Sequence, residues 1–291
     1  MRLATRRPLL PRLRPRRLPA LLAVLAVALM AGIAGSVATA AASPSTSSAT
    51  SHSSKPTVVL VHGAWADSSS WSDVVPRLHD DGYRTVTPDL GLVSLAADVS
   101  QVRAVLDAIP GDKILVAHSY GGMVISDAAA GRTDVLALVF SAAFVPDEGD
   151  SIASLGTGFV TSDAFNHLAF TGAPFASPSY IAPNLFRQYF AQDLSPAQAG
   201  QLDAAQQPLN FSIVTTASGP VAWRDVPSWY AVSGSDRMID PAEERWMAAR
   251  AGAHTIEFPD ASHVGGITRY AAQFTALIER AVHATVIATA H

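Results

Sequence analysis

Six short apolar runs alternate with stretches of helical periodicity, and that alternation limits the folds open to this chain. The runs are TVVLVH (57–62), YRTVTPD (83–89), KILVAH (113–118), VLALVFSAA (135–143), SWYAVSG (228–234) and HTIEFP (254–259). Runs such as TVVLVH hold an unbroken apolar stretch, Val58 to Val61, as strands buried on both faces do. Between them, Leu95, Val99, Val102, Leu106 and Ile109 recur at spacings of three and four, with Ser94 placed to cap a helix over 94–109. Pro241 opens a second helical stretch that stops at Gly252, and residues 264–287 read as a terminal helix. Strands alternating with helices predict an α/β domain, a doubly wound and mainly parallel sheet of about six strands. Right-handed crossovers then place the functional loops at the carboxyl ends of the strands.

One region breaks the rhythm. Residues 145–226 hold no clear buried strand and are rich in Pro, Gly, Ala and aromatic residues, from Phe159 to Trp223. A structureless loop of that length does not suit a compact domain, so the region is expected to be an inserted lid.

The amino terminus has its own character. Residues 1–17 carry seven arginines and no acid, and residues 18–42 are apolar and end in small residues. With Ala38-Thr39-Ala40 or Ala40-Ala41-Ala42 as the cleavage site, residues 1–42 form an export signal, and the mature protein is expected outside the cell or in its envelope. The rival is an uncleaved anchor, because 18–42 is long enough to span the roughly 30 Å of a bilayer core. The pair Arg6-Arg7 is a weak hint of twin-arginine export. Residues 43–54, SPSTSSATSHSS, read as a Ser/Thr-rich linker, and the folded domain is expected over 55–291.

Loss of the signal changes the charge balance. Seven of the 20 basic residues go with it, leaving 13 against 24 acidic ones, or about −11. Nucleic acid is not an expected partner at that charge. The chain has no cysteine, so disulfides and thiolate chemistry are excluded, and no His-Glu-x-x-His pattern occurs among the nine histidines. No metal or cofactor is expected. Oligomeric state cannot be read from these residues.

The third run ends at Ala117-His118-Ser119-Tyr120-Gly121, and a helical pattern follows at once. Ser119 either caps that helix or is a nucleophile lifted above the sheet on a strained turn, which needs small residues two positions away on each side. Ala117 and Gly121 meet the need, although the usual pattern has glycine at both places. A serine hydroxyl attacks only when a base takes its proton. His263, in the loop after the last run, is the candidate base, whereas His254 sits at the wrong end of that run. The acid that orients such a base belongs after the fifth run, where Asp236 lies closest to the strand end. Asp240, before Pro241, is the alternative and also suits a helix cap. Asp147 and Glu148 after the fourth run are a third option. The amides of Ala64 and Tyr120 are candidate donors to an oxyanion, with Gly63 letting the first loop turn closely. Trp65 is a candidate substrate-binding residue, or equally a packed structural one.

LVHGAW, VAHSYGGMV, SGSDRMIDP and DASH together resemble the α/β-hydrolase superfamily, in the branch of methyl-salicylate-type esterases and hydroxynitrile lyases. The resemblance runs from 57 to about 288. It implies the α/β-hydrolase fold, with Ser119 as nucleophile, Asp236 as acid, His263 as base, and Ala64 and Tyr120 at the oxyanion hole. It also implies a lid where 145–226 lies. The lyases of this branch typically carry a threonine in the first loop and a lysine directly after the histidine. Gly63 and Val264 stand in those regions here, which favours hydrolysis. The expected function is an exported serine carboxylesterase acting on small to medium apolar esters. The alternatives are a lyase or cofactor-free oxidative enzyme on the same fold, and a ligand-binding protein that keeps the three residues. The expected partner is a small-molecule ester, and the membrane enters only through an uncleaved signal.

Overall fold

The computed structural model describes residues 55–289. The expected export signal (1–42) and linker (43–54) lie outside the described residues.

The first half builds the sheet. Strand β1 (Thr57–Val61) is buried along its whole length. It is followed by α1 (Val75–Asp80), β2 (Thr85–Val86) and α2 (Leu95–Ala108), which Ser94 caps by accepting from Ala97 N. Next come β3 (Lys113–His118), α3 (Gly121–Ala128) and β4 (Val135–Ser141). After a long insertion, β8 (Ser228–Ser233), α7 (Pro241–Arg250), β9 (His254–Phe258) and α8 (Ala271–Thr289) complete the domain. The six strands lie in the order β2-β1-β3-β4-β8-β9, and every pairing among them is parallel. The order reverses between β1 and β3, and in open α/β sheets the crevice beyond the strand ends at such a reversal is where ligands bind.

The insertion carries secondary structure that its sequence hid. It contains α4 (Ile152–Leu155), β5 (Leu168–Phe170), β6 (Pro178–Ile181), α5 (Pro183–Phe190), α6 (Pro196–Ala204) and β7 (Leu209–Asn210). The three strands form a small antiparallel sheet in the order β5-β6-β7. Strands of two to four residues are too short to show a period, so composition masked them.

Two expectations shift at their edges. The second run was expected as a strand over 83–89, but only Thr85 and Val86 pair with β1. It is an edge strand, and Pro88 has no N–H to extend a ladder. The terminal helix begins at Ala271, not at 264. Val264 N donates instead to Phe190 O of the insertion (3.2 Å), and Ser262 N to the Asp193 carboxylate (3.1 Å), so the loop after β9 is tied outward before the helix starts.

Candidate active site

The site is built at the carboxyl ends of β1, β3, β8 and β9. Ser119 follows β3 directly and adopts φ +53°, a left-handed conformation that costs a non-glycine residue about 1–3 kcal/mol. The surroundings enforce it. Ser119 N donates to Ser141 O (3.3 Å), and its carbonyl accepts from Gly122 N (3.0 Å) and Phe144 N (3.1 Å). Both neighbouring loops press close. A Cβ at Gly63 would stand 2.7 Å from Ser119 Cβ, and one at Gly121 would stand 2.5 Å from Val61 O. Ala117, in place of the usual glycine, sits in the sheet between Val61 and Phe140, where its methyl is accommodated. Tyr120 heads α3 without a side-chain cap, so Ser119 is not that helix's cap.

Three of the candidate residues meet. Ser119 Oγ lies 2.8 Å from His263 Nε2, and His263 Nδ1 lies 2.6 Å from Asp236 Oδ2. All three are almost fully buried. Asp236 Oδ1 accepts from Met238 N (2.6 Å) and Ile239 N (3.1 Å), which leaves Oδ2 to the imidazole. A carboxylate on Nδ1 fixes the tautomer, so Nε2 accepts from the serine hydroxyl. Such a chain can pass a proton from Ser119 to His263 while Asp236 stabilises the imidazolium.

The other candidates lie elsewhere. Asp240 caps α7, accepting from Ala242 N (2.9 Å), and its second oxygen accepts from Val160 N (2.9 Å). Asp147 is paired with Arg224, and Glu148 is near it on the surface. His254 is exposed at the start of β9. Among the described residues, the amides of Ala64 and Tyr120 have no acceptor, which leaves both N–H groups available beside Ser119. Trp65 combines the two roles open to it. Its Nε1 donates to Ser179 Oγ of the insertion (3.2 Å), and its ring lines the cavity at Ser119.

Several supporting residues were not singled out in the sequence. His118 is fully buried and its imidazole is held well below its ordinary pKa, first by desolvation and then by the neighbouring His263. Neutral His118 donates from Nε2 to the His263 carbonyl (2.9 Å). His62, likewise lowered by burial, accepts from Leu90 N (2.8 Å) and donates from Nδ1 to Gly63 O (2.9 Å), fixing the first loop. Tyr120 OH donates to Asp98 Oδ2 (2.8 Å), and burial raises both groups above their ordinary pKa. Phe190 of α5 stands edge-on to His263, with ring centres 4.7 Å apart.

Behind Asp236 lies Glu244, with no exposed surface. One oxygen accepts from Ser233 N (3.0 Å), and the other has no N–H or O–H to accept from. Burial, and then the adjacent Asp236 carboxylate, push the Glu244 pKa well above the ordinary range.

One cavity opens beside the serine, and a second adjoins it. The inner one, about 20 Å³, is lined by Ser119, His263, Ala64 and Trp65 among others. The outer one, about 390 Å³, lies under the insertion. Phe144, Ile152, Phe165, Val214 and Met238 are walls common to both.

With this geometry in view, the chain can be set beside known proteins. The sequence is 39% identical over 110 residues, 33% of this chain, to a carbendazim hydrolyzing esterase of Nocardioides sp. (strain SG-4G), and the match spans 46% of that relative, under half its length. The structure is similar to polyneuridine aldehyde esterase, with a TM-score of 0.66 at 18% identity over 77% of this chain and 98% of that one. It is also similar to a methylesterase protein from Arabidopsis, with a TM-score of 0.65 at 17% identity over 78% and 99%. These two likenesses establish the fold. The model of the Alpha/beta hydrolase family matches residues 58–276. The chain belongs to that family.

Proposed function

We propose that the chain is an exported serine hydrolase, a carboxylesterase that cleaves small to medium apolar esters through an acyl-enzyme on Ser119. The observation that carries this reading is the hydrogen-bonded chain Ser119–His263–Asp236, ending beneath two unpaired amides in an apolar cavity. His263 takes the hydroxyl proton as Ser119 Oγ bonds to the ester carbonyl carbon. The carbonyl oxygen becomes an oxyanion, which accepts from the Ala64 and Tyr120 amides. Collapse breaks the bond to the alcohol oxygen, and imidazolium His263 returns the proton to that leaving group. Water, deprotonated by His263, then attacks the acyl carbon and releases the acid and Ser119.

The cavities bear on substrate size. About 20 Å³ beside Ser119 holds little more than one water, so the part of the ester placed there is short. The bulk of the substrate extends into the outer cavity. The names of the relatives, esterases of several kinds, support the same reaction class. Export is supported by the composition of residues 1–42.

Nitrophenyl esters of rising acyl length test the proposal on protein lacking residues 1–42. Turnover is expected to favour short acyl groups and to fall by about 10³-fold or more in Ser119→Ala. Unchanged turnover in that variant would overturn it. A secreted protein that begins at Ala41 or Ser43 is the expected sign of export, and retention of residue 1 in the envelope protein speaks against cleavage.

A further inference from the structure

Glu243 sits where a helix-capping acid normally sits, and it does not cap. Asp240-Pro241-Ala242-Glu243 opens α7 with an N-cap followed three residues later by glutamate, the pattern of a capping box. In such a box the glutamate reaches back to the N-cap amide. Here Glu243 is only 4% exposed, and its Oε1 has no hydrogen-bond partner. The side chain instead lines the outer cavity, near Gly156 in its wall.

Among the described residues, Glu243 is the only ionisable one lining that cavity. Phe144, Phe159, Phe165 and Phe211 stand among its other walls. A buried carboxyl oxygen without a partner is expensive, and Oε2 is the oxygen that lies toward the cavity wall at Gly156. Aromatic faces attract cations, and an ionised carboxylate, which only accepts, offers nothing to an anion. The volume of about 390 Å³ exceeds the roughly 150 Å³ known to admit a benzene-sized guest.

We propose that the outer cavity is a subsite for an amine-bearing portion of the ester substrate, with Glu243 as the specificity-determining residue that accepts from the ammonium. The assignment rests on the esterase reading only in that the amine is carried by an ester. Its geometry places the scissile carbonyl at Ser119 and the nitrogen beyond the shared walls Phe144, Phe165 and Met238.

The local charges sharpen the selection. Burial, then Asp240 and then Asp236, raise the Glu243 pKa to about 7. Of the insertion segments that line the cavity, residues 151–162 and 211–215 carry no ionisable side chain, and Asp163 and His167, which flank Phe165, are exposed and paired with each other at 3.2 Å. The two charged groups that act on Glu243, Asp240 and Asp236, are both acids, so an arriving ammonium meets a negative field. Preference for the amine is expected to strengthen as pH rises through about 7 and Glu243 ionises.

The test compares two esters matched in size, one ending in a primary amine and one in a methyl group. In the wild type the ratio of kcat/KM, amine over methyl, is expected to exceed about tenfold at pH 8 and to shrink toward pH 5.5. In Glu243→Gln, which keeps the shape and loses the charge, the ratio is expected to fall below about threefold at both pH values. A wild-type ratio near one at pH 8, or a ratio retained in Glu243→Gln, would overturn the assignment. Calorimetric binding of 2-phenylethylamine against 2-phenylethanol reads the subsite without turnover. Stronger binding of the amine, lost in Glu243→Gln, supports it even where no ester is cleaved, and that combination would count against the esterase reading alone. Equal binding of the two compounds counts against the subsite.

Discussion

His118 Nε2 donates to the backbone carbonyl of His263 at 2.9 Å, so the residue before the serine holds the loop that carries its partner. The two imidazole rings are 4.7 Å apart. His118→Leu removes the donor and leaves the His263 carbonyl unpaired. A fall in kcat of about tenfold to a hundredfold is expected, with a smaller change in KM, because misplacement of a reacting group costs rate more than ground-state binding. Steady-state kinetics on one ester, with thermal unfolding as a check on folding, measures it.

Gly63 faces Ser119 with no room for a methyl group. In Gly63→Ala the first loop must retreat, and the Ala64 amide retreats with it. Loss of one oxyanion donor costs about 10²–10³ in kcat, which is the expected loss here. A variant with near-normal kcat would mean that the Ala64 amide does not serve the reaction.

Asp236 and Asp240 are four residues apart and are expected to fail differently. Asp236→Asn is expected to lower kcat by about 10⁴ with the fold intact, because the amide favours the wrong imidazole tautomer. Asp240→Ala loses the cap of α7, and with it about 0.5–2 kcal/mol of stability, while kcat changes far less. Ester turnover and urea unfolding of both variants, side by side, separate the two roles.

The raised pKa of Glu243 has a consequence for stability. Folding lifts the group from its ordinary 4.5 to about 7, so the folded state holds the proton more tightly than the unfolded chain. Its contribution is complete below about 4.5 and declines as pH rises through about 7. Glutamine has no proton to lose. Glu243→Gln is therefore expected to gain about 1–3 kcal/mol on the wild type between pH 5 and pH 8. Urea midpoints at the two pH values report the change.

The sheet was legible because buried parallel strands advertise themselves as continuous apolar runs. KILVAH is buried at every residue, and the runs at 57, 113, 135, 228 and 254 all became strands. The insertion was legible only as an interruption, since strands as short as Leu209–Asn210 have no period to detect. The meeting of Ser119, Asp236 and His263 could be expected because each follows a strand whose end the topology fixes. The residues behind them were not visible in the same way. His118, Asp98 and Glu244 act through burial, and burial of a polar side chain leaves no mark on a single sequence. Glu243 left one trace, a capping-box pattern in Asp240-Pro241-Ala242-Glu243 in which Asp240 caps and the glutamate does not reach back.

The insertion grips the loop it covers. Phe190 gives its carbonyl to Val264 N and its ring to the face of His263, while Asp193 takes the amide of Ser262. A roof joined in this way to the proton acceptor cannot swing away at that corner without dragging the imidazole off the serine. Entry by that edge would disarm the site at the moment of arrival. The wall of the outer cavity at Phe159 and Val160 holds a different part of the site, because Val160 N donates to Asp240 at the cap of α7, and Val160 itself meets solvent there.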